Sequence, residues 1–363
     1  MRIVFLSYNY SPDIHSPKEW LERIKFYIGW SECLATHHTV IRVDQINYEG
    51  TFINNGIQYY FVNDGKKINY FPRKLNRFVK DLNPDVVVVS SFLFPLQVIQ
   101  LRNMLGKKAK IIIQHHAEKP FTGLKKYIRR FASSKADAFL FTSYHTGAGW
   151  VRNKNLDTIQ KIYELVEVSS GFYPVERKIA REKTQVTGSP VFLWVGRLNQ
   201  NKDPLTAVKA FLQFATRHPK SRLYMIYHTD ELVAEIEKLL PKKPDNSPVV
   251  LIGKIPHNEL LYWFNSADFF VSASHYEGSG TALCEAMSCG CIPIVSDIPS
   301  FRMISGHSGL LFEPGNIEAL ASALQQALHL DVEEKKNNAL YRFRTELSFG
   351  AISAKFQELI NSL

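Results

Sequence analysis

The sequence predicts an α/β protein of two doubly wound domains in tandem, each a parallel sheet covered by helices on both faces. Three observations predict it. Short, fully apolar runs alternate with longer amphipathic stretches, the pattern of strands buried on both sides. The rhythm fades between Ser169 and Pro190 and then restarts. The chain has 363 residues, more than one open-sheet domain needs and comfortable for two. With 45% hydrophobic and 21% charged residues, it has a globular composition.

In the first half the predicted strands are Ile3–Ser7, Val40–Val43, Ile57–Val62, Val86–Val89, Ile111–Ile113, Ala138–Phe141 and Ile162–Val166. The turn Asn83-Pro84-Asp85 launches the fourth. Helical patterns fill Arg73–Leu82 and Leu96–Leu105, and the first helix is placed near Glu19. In the second half the strands are Val191–Val195, Leu223–Tyr227, Val249–Ile252, Phe269–Ser272 and Ile292–Val295. Helices fit Pro204–Thr216, Leu232–Leu239, Asn258–Asn265, Thr281–Ser288 and Ile317–Leu328. The expected division is 1–170 as a first domain, 171–189 as a linker, 190–346 as a second domain and 347–363 as a final helix. A ligand cleft between the domains, at the carboxyl ends of the strands, is the expected site.

Composition excludes several classes. No apolar run approaches the ~20 residues of a membrane-spanning helix, and the start, Met1 to Leu6, lacks a signal-peptide core, so a cytoplasmic protein is expected. Cys33, Cys284, Cys289 and Cys291 fit neither a disulfide framework nor a zinc site. Cys289-Gly290-Cys291 reads as small residues packing at a helix-to-strand turn. The net charge of +10 is uneven: residues 1–170 hold 24 Lys/Arg against 14 Asp/Glu, and the remainder 20 against 20. That field favours an anionic partner, although solubility alone also explains a surplus of this size. Nucleic acid is not expected, for lack of an aromatic-interleaved platform or a known module.

The chemistry-bearing motifs lie in the second half. Val195-Gly196-Arg197-Leu198 ends a strand and Lys202 follows a short polar loop, a cationic pair suited to a diphosphate. Gly253-Lys254-Ile255 leaves another strand, and the glycine lets a flat ring approach the backbone. Glu277-Gly278-Ser279-Gly280-Thr281-Ala282 joins a strand to a helix whose first N–H groups and dipole favour an anion. Glu285 lies about one turn into that helix, so both carboxylates can face one crevice and accept bonds from sugar hydroxyls. Taken singly, each feature is as readily an ordinary turn or surface charge. A strand-end histidine, here in Ile113-Gln114-His115-His116-Ala117, is likewise more often structural.

Together, Val195 to about Leu324 resembles the C-terminal domain of the family 4 retaining glycosyltransferases of the GT-B fold (glycosyl transferases group 1). The motifs carrying the resemblance are Val-Gly-Arg-Leu…Lys, Glu-Gly-Ser-Gly-Thr-Ala-Leu-Cys-Glu-Ala-Met-Ser-Cys-Gly, and the helix after Pro314-Gly315-Asn316. The resemblance implies that Arg197 and Lys202 hold the donor diphosphate, Glu277 meets the donor sugar and Glu285 takes the ribose hydroxyls. It also implies that the Ser279–Ala282 amides hold phosphate or sugar and that the Gly253–Ile255 backbone reads the base. His116, with His115 as alternate, would line the sugar and acceptor site. The implied activity is retaining transfer from a nucleoside-diphosphate sugar, a UDP-sugar favoured over a GDP-sugar, to a glycan or lipid-linked acceptor in cell-surface polysaccharide synthesis. No cofactor is expected; no Asp-x-Asp motif of the metal-dependent sort appears, and the expected transfer is metal-independent. A sugar-nucleotide epimerase and an inactive nucleotide-sugar-binding protein of the same fold are the alternatives.

The chain departs from the family at Asn9–Lys18, where a Gly-Gly loop is usual and no glycine occurs. This segment meets the donor differently or shapes the acceptor site. Family members also carry a final helix that crosses back to the first domain, and Phe349–Leu363 places Ile352, Phe356, Leu359 and Ile360 on one face. Leu124-Lys125-Lys126-Tyr127-Ile128-Arg129-Arg130-Phe131 is a basic amphipathic stretch with two readings. Its apolar face packs on the sheet as in any surface helix, or it docks on an anionic membrane at the inner face.

Overall fold

The computed structural model describes residues 1–63, 70–241 and 247–363. The chain forms two compact units, Met1–Ser169 with Ser348–Leu363, and Ser170–Leu347.

The first unit runs β1 (Arg2–Ser11), α1 (Pro17–Ala35), β2 (Thr39–Ile46), β3 (Gly50–Asn54), β4 (Ile57–Val62), α2 (Arg73–Asp81), β5 (Val86–Ser90), α3 (Pro95–Leu105), β6 (Lys110–Gln114), α4 (Lys125–Ser133), β7 (Ala138–Phe141), α5 (Tyr144–Arg152) and β8 (Ile162–Glu164). Its sheet has the order β3-β4-β2-β1-β5-β6-β7-β8. All neighbours are parallel except β3, which pairs antiparallel with β4 at the edge. The sequence reading missed β3, because its pattern is exposed almost throughout and carries no apolar alternation. Val86 to Val89 are buried at β5, as an unbroken valine run requires with helices on both faces.

Helix α1 begins two residues earlier than expected. Ser16 caps it by accepting from the Glu19 N–H (3.3 Å), Pro17 fills the first turn, and Glu19 reaches back to the His15 N–H (2.9 Å). The last helix, Phe349–Ser362, packs on α1 with Ile352, Phe356, Leu359 and Ile360 buried. Phe356 meets Trp30 edge-on with ring centres 5.2 Å apart. Gly29 is what lets Phe349 approach: a Cβ there would sit 2.6 Å from its ring.

The second unit runs α6 (Arg177–Thr184), β9 (Val191–Gly196), α7 (Pro204–Ala215), β10 (Arg222–Tyr227), α8 (Val233–Leu239), β11 (Val249–Gly253), α9 (Leu260–Ser266), β12 (Phe269–Ser272), α10 (Thr281–Ser288), β13 (Ile292–Ser296), α11 (Pro299–Ser305), β14 (Leu310–Phe312), α12 (Ile317–Ala327) and α13 (Val332–Arg342), and the closing helix Phe349–Ser362 is α14. Its sheet, β11-β10-β9-β12-β13-β14, is parallel throughout. The strand order therefore reverses between β9 and β12, the switch point at which open sheets bind ligands. In the first unit the same reversal falls between β1 and β5.

Residues 171–189, expected as a linker, belong to the second unit and contain α6. Arg177 pairs with Asp268 at 2.7 Å, and Ala180 is the single buried residue of the helix. One apolar position in a charged run leaves too little periodicity to read.

Candidate functional site

At the switch point of the second unit, β9 delivers Arg197 and Lys202, and β12 delivers Ser274 to Ala282. The two loops are laced together. The His275 N–H donates to the Asn201 carbonyl (2.8 Å), and Asn201 Nδ2 donates to the Tyr276 carbonyl (2.9 Å). Lys202 Nζ pairs with Glu277, whose Oε1 also accepts from the Ser274 hydroxyl (2.7 Å). Asp203 caps α7 through the Thr206 N–H (3.2 Å) and pairs with His275 (3.1 Å), fixing where the Lys202 loop ends. Arg197 is exposed, and its guanidinium has no partner among the described residues.

Helix α10 starts from Gly280 at φ +63, and no side chain caps it. The positive φ requires glycine, and an added Cβ would meet Ile304 at 2.8 Å. An uncapped helix end beside Arg197 and Lys202 collects positive potential on one edge of the sheet.

Glu285, 4% exposed, lies one turn into α10, and its Oε1 stands 2.5 Å from His257 Nε2. His257 follows the Gly253-Lys254-Ile255 loop and stacks on Phe172 (centres 5.0 Å, 22° between planes). The Gly253 loop, at φ +80, is thereby tied to the carboxylate of α10. The sequence motifs gave no sign of His257 or Phe172, because the pairing is made across separate elements. Cys289 and Cys291 are buried beyond α10, and burial pushes the Cys289 thiol up to about 12, which keeps it inert at neutral pH.

The first unit holds a cavity of about 370 Å³ at its own switch point. Ser7 and Asn9 of β1, Ser90 of β5 and Gln114 of β6 line it, with Trp20, Tyr27 and Trp30 of α1 as an aromatic wall. Asp44 of β2 accepts from Trp20 Nε1 (2.9 Å) and lies 3.5 Å from Arg42 Nε. His116 and Glu118 close the cavity from the β6 end. His115 faces away: it is 3% exposed, stacks on Phe141 (4.8 Å) and meets the Glu118 carbonyl through Nε2 (3.0 Å). Burial pushes its pKa down. Of the two histidines, only His116 reaches the cavity. It pairs through Nδ1 with Glu167, a residue the sequence reading did not single out. Asn9 places the start of the glycine-free N-terminal segment on this cavity.

Helix α4 differs from the packed reading. Its inner side is Arg129, Ala132 and Ser133. The apolar stripe faces outward: Leu124 is 83% exposed, Phe131 55%, Tyr127 48% and Ile128 47%. Arg129 replaces it inside because its guanidinium stacks against Trp150 (4.7 Å) and bonds to Asn155 Oδ1 (3.3 Å).

Two α/β units in tandem, each built on a largely parallel sheet, are the architecture of the GT-B fold. Solved structures share that fold over the whole chain. Sucrose-phosphate synthase from Thermosynechococcus elongatus has a TM-score of 0.73 at 17% identity, covering 99% of this chain and 98% of that one. Anabaena HepE in complex with UDP and glucose has a TM-score of 0.71 at 14% identity, with full coverage of both chains. Residues 175–343 match the model of the glycosyl transferases group 1. Among curated relatives, GDP-mannose:cellobiosyl-diphosphopolyprenol alpha-mannosyltransferase of Xanthomonas oryzae is 35% identical over 150 residues, covering 40% of this chain and 39% of the relative. An N-acetylgalactosaminyltransferase of Campylobacter jejuni whose acceptor is named as a diphospho-undecaprenol is 25% identical, covering 76% of each chain. The matches to the first three curated relatives span 39%, 36% and 21% of those relatives' lengths.

Proposed function

We propose that this protein is a retaining, metal-independent glycosyltransferase that moves a sugar from a nucleoside-diphosphate sugar to a lipid-linked or glycan acceptor in cell-surface polysaccharide synthesis. The observation that carries the reading is the switch point of the second unit, where Arg197, Lys202 and the uncapped start of α10 converge. Breaking a glycosyl–phosphate bond builds negative charge on the departing diphosphate, and preorganised cations and N–H groups stabilise it. Glu277, held by Lys202 and Ser274, accepts from donor-sugar hydroxyls in this reading. Glu285 takes the ribose, and the backbone from Gly253 to Ile255 takes the base. In the retaining step the C1–O bond to phosphate breaks and the acceptor oxygen bonds C1 on the same face. The acceptor proton passes to the departing phosphate oxygen.

A UDP-sugar is the donor expected from the sequence, and the Xanthomonas relatives, named for GDP-mannose, give a specific reason to test a GDP-sugar beside it. Thermal unfolding against UDP, GDP and their sugars, without added metal, reads donor binding directly, since a ligand of the native state raises Tm by mass action. A rise with one nucleotide, lost in Arg197→Ala and Glu285→Ala, supports the assignment. No rise with any nucleotide counts against it.

The acceptor side of the proposal rests on the first unit. Among the described residues no helix is long and apolar enough to cross a membrane. Apolar side chains are nevertheless exposed at three successive strand-to-helix junctions: Tyr70 and Phe71 before α2, Leu93 and Leu96 at α3, and the α4 stripe. Helices that follow parallel strands all start on the carboxyl edge of the sheet, and α3 touches both α2 and α4. Leu93 also lines the cavity. Lys125, Lys126 and Arg130 flank the α4 stripe. This edge suits peripheral attachment to an anionic cytoplasmic leaflet, with the headgroup of a lipid-linked acceptor directed to the cavity.

A further inference from the structure

We propose that Glu167 is the positioning residue of His116: a buried carboxylate that holds imidazole Nδ1 and leaves Nε2 to the cavity of the first unit. The inference rests on the reading that this cavity takes part in sugar transfer.

Glu167 lies in the run that follows β8 and is 3% exposed. A carboxylate so far from water is costly to keep unless a charged or donating group meets it. The group that meets it is the His116 imidazole, at the end of β6 and 51 positions earlier in the chain. The second carboxylate nearby does a different job. Glu118 accepts from the backbone N–H groups of Phe92 (3.0 Å) and His116 (2.7 Å), so it holds the loop and not the ring. Tyr27 of α1 meets the His116 ring edge-on (6.1 Å, 81°), and Arg42 of β2 adds an opposing positive charge. His115, next in the chain, meets the Glu118 carbonyl at 3.0 Å, with the Glu118 carboxylate farther off at 3.6 Å, and packs against Phe141 and Trp150 outside the cavity. His116 instead has a buried anion behind it and a cavity in front.

The pairing fixes what Nε2 can do. With Nδ1–H donating to Glu167, the neutral ring offers its Nε2 lone pair to a hydroxyl in the cavity. The charged ring offers an Nε2–H to an oxygen there. Burial pushes the His116 pKa down, and Glu167, aided by Glu118, overrides it, so that the pKa ends above the ordinary value. The donating form therefore persists to higher pH than in an unpaired histidine.

The test uses the full chain labelled in its histidine rings, with His116→Gln to identify the His116 signal. Wild type should show the Nδ1–H tautomer when neutral and a titration above the free value of about 6.5. In Glu167→Gln the midpoint should fall by about one pH unit or more and the tautomer preference should weaken, whereas Glu167→Asp should recover part of both. Transfer rates should follow: a loss of tenfold or more in kcat for Glu167→Gln, part of the 10²–10⁴ available to acid–base groups, with donor KM little changed. An unmoved His116 titration overturns the proposal. So does a moved titration with unchanged kcat. The ring spectrum needs no turnover, so it judges the pairing even if no donor and acceptor react, an outcome that would sink the transferase reading instead. Should Glu167→Gln fail to fold, Glu167→Asp carries the same titration test.

Discussion

Replacing Leu124 and Ile128 by serine tests the proposed attachment surface with little risk to the fold. Both side chains point outward, and the buried contacts of α4 are made by Arg129, Ala132 and Ser133. At 83% and 47% exposure they offer about 1.3 side chains' worth of surface to an apolar phase. Full burial of an aliphatic side chain is worth about 1.5–3 kcal/mol, so the double substitution should remove about 2–4 kcal/mol of membrane affinity. At 1.4 kcal/mol per tenfold, the partition coefficient should fall by roughly 30- to 700-fold. Phe131 and Tyr127 would remain, so binding should become weak and not vanish. The assay is co-sedimentation with vesicles of phosphatidylcholine, with and without phosphatidylglycerol, at low and high salt. Lys125→Gln with Lys126→Gln should separate the electrostatic share: about 1 kcal/mol per charge at low salt, disappearing as salt rises. Tm should stay within a degree or two of wild type in both variants. The reasoning fails if wild type ignores phosphatidylglycerol vesicles at low salt, or if the double serine variant binds them as wild type does.

Three further outcomes follow from the geometry. Gly29→Ala should cost about 1–3 kcal/mol through overpacking, because the new methyl meets the Phe349 ring; thermal unfolding should drop by several degrees, and an unchanged Tm would refute the α1–α14 packing. Glu118→Gln should destabilise mainly above the carboxylate range. Burial raises the Glu118 pKa, but His115 and the hydrogen bonds from Ser91 and His116 outweigh it, so its folded pKa is lowered. Its stabilisation is therefore present above the unfolded value near 4.3 and is lost as pH falls through the folded value; denaturant midpoints at pH 7 and pH 3.5 should differ less in the variant than in wild type. Gly280→Ala should weaken nucleotide binding at least tenfold, since a methyl at φ +63 both strains the start of α10 and strikes Ile304; unchanged affinity by calorimetry would argue that α10 does not receive the phosphates.

How much of this was legible in the sequence follows from what kind of contact each feature is. Strand Ile57–Val62 and helix Thr281–Ser288 were placed to the residue, because an apolar run and a glycine-to-helix junction are local signals. The cations and small residues around α10 were legible for the same reason: each lies in a single strand-to-helix loop. Helix α4 was legible in its periodicity but not in its orientation. The pattern Leu124, Tyr127, Ile128, Phe131 states that an apolar face exists, and only the aromatic pocket of Trp150 and the Asn155 amide decide that Arg129 goes inward in its place.

The pairings of histidine with carboxylate were the part the sequence hid, and the reason is physical. His116 with Glu167 joins segments that follow two strands of one sheet, and His257 with Glu285 joins the run after β11 to helix α10; neither partner sits at a fixed offset from the other. In both, the carboxylate is the more buried member and the histidine stands nearer the surface. A buried carboxylate attracts a donor, and a half-exposed imidazole can keep that bond while its other nitrogen meets a ligand. At Glu285 the ring is instead the competitor for ribose hydroxyls, so His257→Ala should sharpen or weaken nucleotide affinity according to which function prevails. If His257 only occupies the carboxylate of the empty site, its removal tightens binding. If it orients that carboxylate, as Glu167 is proposed to orient His116, its removal loosens binding, and the sign of the change in Kd decides between them.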